Sequence, residues 1–173
     1  RFAKAQALST DGDHIGAMKG YMEAAAEAHR DPAERESEGQ AKTWALEEAR
    51  QAGADDDFLR DQVRDLRASW LVPIISEPAI LEIELHLARG GQSSLEVTDN
   101  LYDKLERAYI VLGKRWDAGW IRQQQAVWEI QRGGEVDLGR LRRIVDLAHS
   151  HFALCSPPWH GIPFEDLVKM IDG

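Results

Sequence analysis

The chain has 173 residues, 43% of them hydrophobic, enough to bury one sizeable core or a continuous repeat core without metal or disulfide help. Its 30 acidic and 21 basic side chains give a net charge of −9, a field that repels a phosphate backbone and argues against direct nucleic-acid binding. A single cysteine, Cys155, excludes an internal disulfide and fits a reducing compartment, by default the cytoplasm.

The densest apolar run, Trp70 to Ala88, is broken by Pro73, Glu77, Pro78, Glu82, Glu84 and His86, which a bilayer core would reject, so no membrane span or membrane partner is expected. Cutting the chain at Trp70 leaves 10 basic and 15 acidic residues before the cut and 11 and 15 after it, so neither half reads as a charged tail. The opening Arg1-Phe2, with no initiating methionine or signal pattern, suggests a piece of a longer polypeptide whose other domains are candidate partners.

Glycine-centred breaks fall at Gly12, Gly53, Gly90/Gly91 and Gly133/Gly134, at intervals of 41, 37 and 43 residues. Each is flanked by stretches of helical periodicity, so the unit reads as a helix hairpin of about 40 residues. The expected fold is all-α: a single domain over 1–173, with an α-α superhelix of about four antiparallel hairpins near 1–30, 32–70, 76–112 and 115–151 and a capping helix near 163–172.

In chain order, Phe2, Ala5 and Leu8 end a first helix, and "STDGDH" turns into a second with two candidate stripes, Ile15/Met18/Met22/Ala25 and Ala17/Tyr21/Ala24/Ala28. A helix from about Pro32 to Ala52 is expected to bury Ala41, Trp44, Ala45 and Ala49, with Glu34, Glu36, Glu38, Glu47 and Glu48 as its solvated face. "GADDD" suits a helix N-terminus, after which Phe58, Val63, Leu66 and Trp70 continue the apolar face. Ser76 and Pro78 are start signals for a third hairpin. Its segment Leu81–Leu87 alternates like a strand, yet with no partner strand in view it is assigned to helix. Leu101, Leu105, Ala108 and Leu112 mark the helix after it.

"RWDAGWIRQQQAVWEIQ" opens the fourth hairpin, with Trp116, Trp120, Val127 and Ile130 within one arc and expected mostly to pack. Gln123 lies mid-arc, where an amide either bonds to another helix or faces a groove, and Arg122 and Gln124 turn away from it. Leu138, Leu141, Val145 and Ala148 define the next helix, and a short helix from Phe164 to Ile171 caps the array.

"AKAQALSTDGDHIGAMKGYMEAAAEA" resembles a tetratricopeptide repeat, with Ala5 and Leu8 before a Gly12-Asp13 turn and then Ala17, Tyr21 and Ala24. Leu105 to Ala148 is similar to the longer variant, of about 40 residues, found in bacterial signal-transduction ATPases and transcriptional activators. The middle hairpins share only the period. The resemblance implies a right-handed superhelix whose leading helices line a concave face that binds a peptide or partner domain, and it implies no catalytic residues. The groove it implies draws on Gln123, Arg122, Glu84, Lys42 and Trp120, although Glu84 and Lys42 are expected first of all to form structural ion pairs.

No nucleophile-base pair, phosphate loop or calcium loop is readable, and no catalytic residue or cofactor is expected. His149, His151, Cys155 and His160 are zinc-ligand types, but a two-residue spacing on a helix points the first two histidines apart. The expected function is a regulatory or sensor module that binds a protein or peptide. Alternatives are a helical enzyme or small-molecule sensor with a pocket near Glu84, Gln123 and Trp159, and an acidic inhibitor that blocks a basic partner.

Overall fold

The structure, a computed structural model, describes residues 1–69, 71–91 and 93–173; Trp70, expected on an apolar face, lies outside them. Among the described residues the chain is all-α, with no strand. The helices are α1 (Phe2–Thr10), α2 (His14–Ala28), α3 (Arg35–Gln51), α4 (Asp56–Ala68), α5 (Glu77–Gly90), α6 (Leu95–Val111), α7 (Arg115–Gln131), α8 (Leu138–Ala153) and α9 (Phe164–Asp172). They fall into pairs at the glycine period, α1–α2, α3–α4, α5–α6 and α7–α8, followed by α9, an arrangement compatible with a helical repeat. Leu81–Leu87 lies within α5 and is helical.

Three of the turns share one device. Gly12, Gly53 and the pair Gly133/Gly134 take left-handed φ angles of 82°, 81°, 77° and 87°, which an L side chain adopts only under strain. An aspartate then caps the next helix: Asp13 accepts from the Gly16 N–H, Asp55 from Asp57 and Phe58, and Asp137 from Arg140. Each such cap contributes about 1 kcal/mol. The third turn lacks the device, since Gly91 is extended with φ −101°. Ser76 precedes α5 without a side-chain capping bond; Pro78, in the first turn, supplies the start signal.

The chain divides into two compact units, Arg1–Thr98 and Asp99–Gly173, with the division inside α6. In the first unit α3 is central, packed by α2, α4 and α5. Its core joins Leu46, Ala49, Leu59, Val63, Leu66, Ile80, Ile83 and Leu87. Ala5, Ala17, Tyr21 and Ala45 close the seam between α1, α2 and α3. Gly39 allows the segment after α4 to lie on α3: a Cβ there would sit 1.6 Å from the Leu71 carbonyl oxygen. In the second unit α7 packs on α8 and α9 around Ala126, Leu141, Ile144, Val145 and Leu167.

Several expected faces are displaced. On α2 the Ala17/Tyr21 stripe is buried, whereas Ile15 and Met22 are about half exposed, because small residues let the backbones of α1 and α2 approach. Trp44 and Phe58, expected in the core, are 40% and 48% exposed, and Leu138 is 50% exposed. The acidic face of α3 is only partly solvated: Glu38 and Glu48 are buried, because α3 has neighbours on several sides and 8 of its 17 residues are covered. Trp116 and Trp120 are each 41% exposed, stacked on one another at 5.4 Å rather than sunk into the core.

Candidate functional site

The first unit holds an open groove of about 570 Å³. Its floor is the α3 face carrying Lys42, Ala45, Leu46 and Ala49; Met18 and Met22 of α2 form one wall, and Phe58, Gln62, Asp65 and Leu66 of α4, with Ser69 just after it, the other. These positions fall at helical spacings of three and four, so each helix presents one face to the same trough. Alanines at the floor leave room for a close backbone approach, while Met22 and Phe58, both about half exposed, place apolar surface at the rim. Leu71 continues the lining into a second depression with His29, Asp31, Pro32, Arg35 and Glu38.

Polar side chains at the edges are held in place. Lys42 donates to Glu38 Oε1 at 2.5 Å, and His29 meets the same oxygen at 3.1 Å. The Lys42 hydrogen bond, opposed by burial and aided by His29, holds the Glu38 carboxyl below its ordinary value of 4.5. Nearly three turns of helix beyond Glu38, Glu48 accepts from Ser9 at 2.6 Å and from the His14 ring at 2.7 Å, which ties α3 to the α1–α2 turn. Burial, reinforced by the nearby Glu48 charge, raises the pKa of Tyr21.

The residues singled out from the sequence are distributed over both units. Lys42 lines the groove. Glu84 does not; it pairs with Arg67 of α4 at 2.9 Å, and Arg67 also reaches Glu77 at 2.5 Å. Arg122, expected to turn away from the packed face, is 6% exposed, because α6 covers that side of α7. There it donates to Glu106, to Asp103 at 2.6 Å and to Gln125 at 2.8 Å. Burial works against its charge, but the bonds to Glu106 and Asp103 outweigh it and raise the pKa. The network continues through Asp99 to Arg140 of α8, which also binds Glu129 at 2.6 Å.

Gln123 is 8% exposed, and its Oε1 accepts the Ile162 N–H at 2.8 Å, joining α7 to the segment before α9. Trp120 stands exposed beside Trp116. Three of the four zinc-type residues are separately engaged: His149 Nε2 donates to the Ile162 carbonyl at 3.0 Å, His151 faces Arg115 at 3.4 Å, and the Cys155 thiol turns to the His151 carbonyl. Among the described residues no group of three or more His, Cys, Asp or Glu is placed to hold a metal ion. A second cavity, about 470 Å³, lies against α8 and is lined by Arg142, Asp146, His149, Trp159, His160 and Phe164 among others.

Sequence reasoning did not find Met18, Met22, Phe58, Gln62 and Asp65 as a group. The available signal was a surplus: α2 carries two apolar stripes, and a helix can bury one against a single neighbour while the other remains exposed. No helix among the described residues is long and apolar enough to cross a membrane. No family model matches the chain, nor does any curated protein or solved structure show a significant match.

Proposed function

We propose that this chain is an interaction module of the tetratricopeptide-like kind, a helical superhelix that takes a peptide segment of a partner protein in the groove between α2, α3 and α4. It then serves a larger regulatory or signalling protein of bacterial type, as the resemblance implies, and performs no chemistry of its own. The observation that carries the reading is the groove itself, an apolar trough of about 570 Å³ with Met22 and Phe58 left half exposed at its rim. Exposed large apolar side chains gathered around one concavity are a feature of interaction sites, and methionine adapts its shape to varied partners. Three helix faces around one trough, with Ala45, Leu46 and Ala49 at its floor and polar groups only at Lys42, Gln62, Asp65 and Ser69, suit an inserted helix, read through side chains at i, i+3/i+4 and i+7.

The test is to pan short random peptides against the full chain and follow the methyl groups of its three methionines by NMR. Binders should shift Met18 and Met22 and leave Met170 unmoved. Failure to recover binders, or binders that leave Met18 and Met22 unmoved, would sink the reading.

A further inference from the structure

The division into two units redistributes the charge. Residues 1–98 carry 19 acidic and 11 basic side chains, a net −8, whereas residues 99–173 carry 11 and 10, a net −1. The cut at Trp70 concealed this, because it assigned acidic residues of α5 to the wrong side. The acidic field therefore belongs to the unit that holds the groove.

Within the groove the local charges point the same way. Lys42 is bound at 2.5 Å to buried Glu38, so its charge is already compensated. Asp65, on the opposite wall, is highly exposed, and its contact with Arg64 is a loose 4.0 Å; Arg64 sits closer to Asp61, at 2.9 Å. The floor from Lys42 to Ala49 runs for roughly 10 Å, about two helical turns. Among the described residues there is no strand edge to which an extended peptide could add.

Resting on the groove reading above, we infer that the occupant is a basic amphipathic helix of another protein, its apolar side chains between Met22 and Phe58 and its lysines or arginines toward Asp65, in a unit whose net charge is −8. Charge complementarity of this kind speeds encounter and rejects acidic segments, while the apolar floor supplies the contact that holds the complex.

The experiment uses three helical peptides with one shared apolar face and a polar face of lysine and arginine, of glutamine and serine, or of glutamate. Fluorescence anisotropy measures their binding to the full chain at low and high salt. The basic peptide is expected to bind about tenfold tighter than the neutral one, an advantage that shrinks as salt screens it. Phe58→Ser and Met22→Ser, both at exposed positions, should each weaken the basic peptide severalfold, with circular dichroism melting unchanged. Equal binding of basic and neutral peptides overturns the charge inference and leaves the groove reading intact. Basic-peptide binding insensitive to both serine variants means diffuse attraction and overturns the docking. No binding by any of the three removes the groove reading as well.

Discussion

The two units solve the problem of buried charge differently. In the first, each buried carboxylate of α3 is held by its own small set of partners, Glu38 by Lys42 and His29, Glu48 by Ser9 and His14. In the second, Arg122, Asp103, Glu106, Gln125, Asp99, Arg140 and Glu129 form a connected network across α6, α7 and α8. A connected network fixes the mutual register of three helices, because shifting any one breaks several bonds together. Isolated pairs fix less, and the unit that uses them also leaves an apolar trough open. The contrast separates a unit whose helix register is fixed by a connected network from one that leaves an apolar trough open.

The sharpest way to break that contrast is to remove the centre of the network. Arg122→Met should cost about 3 kcal/mol in urea unfolding, since it strands the mostly buried Glu106 carboxylate, while Asp103, half exposed, keeps its water. A loss under about 1 kcal/mol would mean the network is ornamental. Gly39→Ala attacks the first unit sterically: the new Cβ meets the Leu71 carbonyl, and a loss of about 1 to 3 kcal/mol is expected in the same measurement. Gln123→Ala leaves the Ile162 N–H without its acceptor and should cost about 1 kcal/mol, read as a lower melting temperature with peptide binding intact. Unchanged melting with weakened peptide binding would instead place Gln123 in a groove contact.

The smallest effect is a pH dependence. Because Lys42 holds the Glu38 pKa below 4.5, the folded state binds that proton less readily than the unfolded chain. The stabilisation is therefore present above pH 4.5 and lost as pH falls through the lower folded value. Glu38→Gln should flatten that part of the acid unfolding curve; an unaltered curve would show that the pair contributes nothing measurable.

Much of this was legible in the sequence. Glycine breaks are a local signal, so Gly12 with Asp13, Gly53 with the acidic run after it, and Gly133/Gly134 marked three hairpins, and the same period supported helix over strand at Leu81–Leu87; the Asp137 cap went unread. The faces were harder, because a wheel gives the apolar side of a helix but not how many neighbours surround it. Glu38 and Glu48 looked solvated until α3 proved to be enclosed on several sides. Trp44, Phe58, Trp116 and Trp120 looked like core until alanine and glycine filled the close contacts instead. The groove required three helices at once, information no single periodic stretch contains.

Ile162 has both of its peptide groups taken by side chains from different helices: its N–H by Gln123 of α7 and its carbonyl by His149 of α8. A residue gripped through both of its flanking peptide groups has no intermediate position in which one bond survives a large displacement of the other. The tail beyond Phe152, with α9, should therefore detach as one cooperative opening, and amide hydrogen exchange at Ile162 and at Leu167 in α9 should slow and quicken together across solution conditions.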